Sequence, residues 1–267
     1  MKETLIQCLR AAGGILLEHF GRIREVSRKE SHSHIVTEAD LASEHCIIER
    51  IRLRFPDHSI IAEESGFQRR SSPFTWIVDP LDGTSNFAAG LPWFGILLAV
   101  LEHNQPVLAG MYFPESDQLY HAEKGRGVYR DSQRIHVSTE PDLSNVLCAF
   151  SLDSDPDADR TRRNILLAAQ LVNRTRNIRS TNCLVDFAYA LDGRFGACLN
   201  GSTRIWDIAP ACLMFPEAGG ILTDWAGRPI DLTPTPSLLD RNFSVVGSNP
   251  ALHPTLLEII RQSGAPR

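Results

Sequence analysis

With 267 residues, 43% of them hydrophobic, the chain can bury one large core or two modest ones. A formal net charge of −5 removes any electrostatic argument for nucleic acid as a partner. No apolar run reaches membrane-spanning length, and residues 1–4 open an amphipathic segment and not a signal core, so a cytoplasmic protein is expected.

Residues 3–20 place Leu5, Ile6, Leu9, Ala12, Leu16 and Phe20 at helical spacing, with Gly21 as the stop. Residues 22–36 are polar and read as a mobile or hairpin-like stretch. Thr37-Glu38-Ala39-Asp40 then starts a second helix, with Leu41, Ile47, Ile48, Ile51 and Phe55 as its expected inner face and Pro56-Asp57 as its breaker. Residues 58–62 and 74–79 read as strands. Residues 94–102 and 106–113 form an expected hairpin, and shorter strands follow at 118–122, 127–129 and 134–137. Residues 138–144 look like a join, dividing the chain into an α+β half, 1–140, and an α/β half, 141–267. In the second half strands at 146–150, 177–179, 195–199, 221–225 and 243–247 alternate with helices at 158–172, 183–191, 206–218 and 251–262. That order of elements predicts a layered α/β architecture.

The stretch from Trp76 to Phe87, Trp-Ile-Val-Asp-Pro-Leu-Asp-Gly-Thr-Ser-Asn-Phe, organises the rest. It begins as a buried strand, which Pro80 is expected to end because it has no N–H to give the ladder. Asp79 and Asp82 are thereby delivered into one tight turn, and a short helix from Ser85 follows. Carboxylates suit a hard cation and free backbone N–H groups suit an anion, so the pair predicts a joint site for metal and phosphate.

Several other features take plainer readings. Cys8, Cys46, Cys148, Cys183, Cys198 and Cys212 include no Cys-x-x-Cys pair and read as free thiols. His32-x-His34 lies in a polar stretch and imidazole does not suit hard cations. Trp93 and Phe94 read as the start of a core strand and not as a stacking platform, and Arg160 to Arg163 as the solvated face of a helix.

The string Asp-Pro-Leu-Asp-Gly-Thr at 79–84, preceded by Ile61-Ala62-Glu63-Glu64-Ser65 and followed by Trp206-Asp207-Ile208-Ala209-Pro210-Ala211, resembles the inositol monophosphatase family over nearly the whole chain. The resemblance implies an α-β-α-β-α layered fold of the fructose-1,6-bisphosphatase type, and Mg²⁺-dependent, lithium-sensitive hydrolysis of a small phosphate monoester by a homodimer. It places one ion on Glu63, Asp79 and the Leu81 carbonyl, a second on Asp79, Asp82 and Asp207, and a weaker third near Glu63. Thr84 and Asp40 match the pair that orients and deprotonates the attacking water, with Glu63 and its neighbour Glu64 beside them. Phosphate is expected on the N–H groups of Gly83 and Thr84. Lys29 falls where the family has a mobile-loop lysine.

The substrate side departs from the family. Thr181-Asn182-Cys183-Leu184 replaces the usual Gly-Ser/Thr-Ala-Ala, Asn200 stands where inositol phosphatases place a glutamate, and Pro210 replaces an alanine in what is expected to be a helix's first turn. Asp82, Cys183, Asn200 and Asp207 are the expected substrate contacts. A phosphorylated polyol, sugar or nucleotide is therefore expected, with myo-inositol monophosphate first. A 3′-phosphonucleotide, histidinol-phosphate or fructose-bisphosphate phosphatase is the alternative within enzymes, and a binding module with a vestigial site the alternative outside them.

Overall fold

The computed structural model describes residues 1–22, 27–28, 35–152, 157–183 and 185–264. The first half of the chain runs α1 (Lys2–His19), β1 (Ser27–Arg28), β2 (Ile35–Val36), α2 (Glu38–Arg54), β3 (Ser59–Ala62), β4 (Gly66–Gln68), β5 (Phe74–Asp82) and α3 (Thr84–Ala88). It continues through β6 (Gly95–Glu102), β7 (Gln105–Phe113), β8 (Gln118–Glu123), β9 (Val128–Arg130) and β10 (Gln133–Ile135). Then follow β11 (Leu147–Ser151), α4 (Ala158–Val172), β12 (Asn177–Arg179), α5 (Val185–Leu191) and β13 (Ala197–Thr203). The chain closes with α6 (Ile205–Glu217), β14 (Ile221–Asp224), β15 (Phe243–Ser248) and α7 (His253–Gln262).

Two large sheets result. One has eight strands in the order β10-β9-β8-β7-β6-β5-β3-β4, and the other five in the order β12-β11-β13-β15-β14. Successive strand residues point to opposite faces, and the chain uses both faces of each sheet. From β5, Trp76 and Val78 join the apolar cluster under α1 and α2, whereas Ile77 joins the cluster between the sheets with Ile205, Ile208 and Phe215 of α6. From β11, Ala149 faces that same middle layer, while Cys148 and Phe150 pack outward against Leu167 and Leu171 of α4 and Leu256 and Ile260 of α7. The layers are thus helix, sheet, helix, sheet, helix, as the resemblance implied.

Helix α2 corrects one expectation. Leu41 is 55% exposed, and the buried face is Asp40, Ser43, Glu44, Ile47 and Ile51, a rotation that turns polar side chains toward the sheet. The β6–β7 hairpin forms with a two-residue turn at His103 and Asn104, whose φ values of 47° and 66° suit the tight turn that matches strand twist. Strand β4 was not anticipated; three half-buried residues carry too little pattern to be read. Of residues 22–36, the described pairs 27–28 and 35–36 form an antiparallel ladder, and Lys29, His32 and His34 lie outside the described residues. Pro210 sits at the sixth residue of α6, inside the helix and beyond its first turn. All six cysteines are free thiols, and among the described residues no helix is long and apolar enough to cross a membrane.

Candidate metal and phosphate site

Strand β5 does not stop at Pro80. It runs to Asp82, but its register against β6 slips, with Asp79 opposite Leu97 and Asp82 opposite Gly95. Proline contributes no N–H, so the ladder is interrupted there instead of ended. The polar groups released by this bulge are taken up by side chains. Ser43 Oγ donates to the Pro80 carbonyl (2.7 Å), the Leu81 N–H donates to Asp79 Oδ1 (3.0 Å), and Thr84 Oγ1 donates to the Leu81 carbonyl (2.9 Å). Ser43, on the buried polar face of α2, thus supports the bulge directly.

Two further acids are brought to it. The Glu63 N–H donates to the Val78 carbonyl, extending the parallel β3–β5 pairing by one residue and placing Glu63 alongside Asp79. Its neighbour Glu64 is held through its N–H by the buried carboxylate of Glu44 (2.8 Å). Asp207 comes from the third position of α6, where Thr203 Oγ1 and the Arg204 N–H (2.7 Å) both donate to its Oδ2 and fix the carboxylate. Asp79, Asp82 and Asp207 each present a carboxylate oxygen within 4.8 Å of the others'. Glu63 lies outside that trio yet lines the same cleft and acts on Asp79 through its charge.

Burial raises the Asp79 carboxyl well above the usual carboxylate range, and the charges of Glu63, Asp82 and Asp207 push it further. Four acids so placed ionise together only if a cation joins them, and an all-oxygen donor set suits Mg²⁺ or Ca²⁺ and not zinc or copper. The residues present fit a hard divalent ion.

Gly83 follows at φ 81°, and a Cβ there would lie 2.6 Å from the Trp93 carbonyl oxygen and 3.0 Å from Cys183 Cβ. Only glycine fits that approach. Thr84 Oγ1 also reaches Asp40 Oδ1 (3.2 Å), whose other oxygen accepts from the Thr37 N–H and hydroxyl (2.8 and 2.7 Å). Asp40 is thus both helix cap and partner of Thr84. Burial moves its carboxyl up to about 6, against the lowering effect of those hydrogen bonds.

The site opens into a cleft of about 730 Å³ lined by residues of both sheets. Cys183 lines it, buried beside Thr181 Oγ1 (3.4 Å), with its thiol raised by burial. Asn200 at the cleft wall accepts the Ser202 N–H on its Oδ1 (2.9 Å). Phe94 is buried as expected, but Trp93 is not a core residue. It is 43% exposed and lines the cleft beside Leu91, in the loop before β6, while Phe94 takes the buried position. Ser43, Glu44, Thr203 and Asn86 are further site residues that sequence reading missed. The spacing of Asp40, Ser43, Glu44 and Ile47 on one helical face was the signal for the first two.

Known proteins resemble the chain over most of its length. The chain is 33% identical over 258 residues to a fructose-1,6-bisphosphatase/inositol-1-monophosphatase of Thermotoga maritima, covering 96% of this chain and 94% of the relative. It is 32% identical over 230 residues to the Nus factor SuhB of Escherichia coli, covering 85% and 86%. An IMPase structure from Thermotoga maritima superposes with a TM-score of 0.87 at 30% identity, covering 98% of this chain and 97% of the other. A suhB extragenic suppressor structure from Bartonella henselae gives 0.89 at 26%, covering 97% and 98%. The model of the inositol monophosphatase family matches residues 1–265, and the chain belongs to that family.

Proposed function

We propose that the protein is a Mg²⁺-dependent phosphomonoesterase that frees inorganic phosphate from a small phosphorylated polyol, sugar or nucleotide, with myo-inositol monophosphate the first substrate to try. The observation that carries this reading is the convergence of Asp79, Asp82 and Asp207 within 4.8 Å, from β5 and from α6 more than 120 residues later, beside the Gly83-Thr84 turn. Glu63, Asp79, Asp82, Asp207 and the Leu81 carbonyl would hold two or three ions, which when bound neutralise phosphoryl charge and acidify water. In turnover Thr84 turns its one hydroxyl proton from the Leu81 carbonyl (2.9 Å) to Asp40 Oδ1 (3.2 Å), whose carboxyl near 6 is matched to taking a proton at neutral pH. The N–H groups of Gly83 and Thr84 receive phosphoryl oxygens. Water oxygen bonds to phosphorus as its proton passes to the Thr84 hydroxyl that has given its own to Asp40, the ester P–O bond breaks, and the leaving alkoxide takes a proton from solvent.

Residues 1–140 and 141–267 act as two halves whose contact assembles the site, in a cytoplasmic homodimer inhibited by lithium. Phosphate release from a panel of monoesters, with Mg²⁺ and with chelator, tests the reading: metal-dependent release supports it, and none from any ester removes it. A second reading, a partner-binding module without turnover, draws support from relatives named Nus factor SuhB. Calorimetry separates the two, since a module has no need to bind Mg²⁺.

A further inference from the structure

The geometry points to Trp93 as the platform on which the leaving group of the substrate stacks, and to a monoester whose alcohol carries a flat ring, of the nucleoside class, as the ligand. This inference rests on the phosphatase reading and narrows it.

Trp93 is exposed for a local reason. Its neighbour Phe94 is fully buried, with its ring 4.8 Å from that of Phe20 and 4.7 Å from that of Phe87. Phe94 takes the core position just before β6, and Trp93, left exposed, lines the cleft. Its backbone is not loose there. Asn86 Nδ2 donates to the Trp93 carbonyl (2.9 Å) and to the Thr181 carbonyl (2.8 Å), pinning this segment to the opposite lip, and the Trp93 carbonyl abuts Gly83 of the phosphate turn. The indole N–H has no hydrogen-bond partner among the described residues. A large aromatic face held open beside the reacting centre, with Leu91 also 41% exposed at the rim, is costly in water and gains from a flat apolar ligand.

Asn200 adds an independent constraint. The Ser202 N–H requires an acceptor, which fixes the amide oxygen toward it and leaves the Asn200 NH₂, with no partner among the described residues, as a donor on the cleft wall. A donor in that position asks for an acceptor on the substrate, which the ring nitrogens and carbonyls of a nucleobase provide. The cleft of about 730 Å³ is of the size that holds drug-sized ligands.

The test measures kcat/KM of the Mg²⁺-loaded enzyme for 2′- and 3′-AMP, ribose 5-phosphate, myo-inositol 1-phosphate and glycerol 2-phosphate, in wild type, Trp93→Ala, Trp93→Phe and Asn200→Asp. Stacking of a base is worth a factor of about ten or more. The expected result is a preference of that size for an adenosine phosphate over ribose 5-phosphate. Trp93→Ala collapses that ratio mainly through KM, Trp93→Phe restores part of it, and Asn200→Asp lowers it by replacing a donor with a charged acceptor. A wild-type ratio near one, or a ratio that Trp93→Ala leaves intact, overturns the inference while glycerol 2-phosphate turnover still upholds the phosphatase reading. Absence of turnover on every ester overturns both.

Discussion

Replacing Asp40 by Asn should make the metal-free protein more stable and the enzyme slower. The carboxyl is completely buried, and its folded value of about 6 stands above the ordinary value of 3.8. An acid raised in this way contributes stability that is fully present below 3.8 and is lost as pH rises through about 6. At neutral pH the folded wild type therefore carries an ionised, poorly solvated Asp40. A difference of about two units amounts to roughly 2–3 kcal/mol. The amide can replace the carboxylate without an orphaned bond. Its oxygen accepts the Thr37 N–H and hydroxyl, and its NH₂ donates to Thr84 Oγ1, whose own proton goes to the Leu81 carbonyl 2.9 Å away. Urea or thermal unfolding in chelator should show variant and wild type nearly equal at pH 4. By pH 8 they should separate by about 2–3 kcal/mol, or roughly 4–10 °C for a chain of this size. Phosphate release should fall at the same time, because the amide cannot take a proton. A stability gap that does not change with pH, or a variant less stable at pH 8, would refute the reasoning.

Four further outcomes follow from the same site and core. Asp82→Asn should abolish phosphate release with the unfolding midpoint preserved, and near-normal turnover would remove the acid cluster from the reaction. Saturating Mg²⁺ should raise wild-type stability by about 2–3 kcal/mol at a hundredfold excess over its dissociation constant, whereas Asp79→Asn should lose that gain yet be the more stable protein in chelator, since one of four crowded charges is gone. Gly83→Ala should cost about 1–3 kcal/mol and turnover, read by thermal melting and phosphate release, because the left-handed backbone and the Trp93 carbonyl both exclude a Cβ. His253, held between Ser248 Oγ (2.9 Å) and Thr223 Oγ1 (3.0 Å), has its pKa lowered by burial. Its contribution is present above about 6.5 and lost as pH falls toward the depressed folded value, so the wild-type urea midpoint should drop from pH 7 to 5 more steeply than that of His253→Asn.

What was legible in the sequence was local. The start of a helix at residues 37–40, the alternation of strands and helices after residue 146, and the glycine at 83 each depend on a few neighbouring residues, and each lies where it was read, although the N-cap is Thr37, and Asp40, the expected cap, is its capping-box partner. Recognition of three motifs supplied the layer order and the acids to watch, including Asp207, because a motif preserves contacts that periodicity cannot express. Other features waited on the fold. Pro80 interrupts β5 without ending it because β6 continues beyond the bulge, and α2 is rotated so that Ser43 and Glu44, not Leu41, face the sheet that needs their hydrogen bonds. Trp93 turned outward because burying Phe94 against Phe20 and Phe87 left it no place in the core, and Asn200 became a donor only through the Ser202 N–H. The sequence by itself determined which residues carry charge, turn or stop the chain. Which of them meet was decided only by two sheets packing across α6, since contacts between residues more than a hundred positions apart follow from the shape of the whole core and from no local rule.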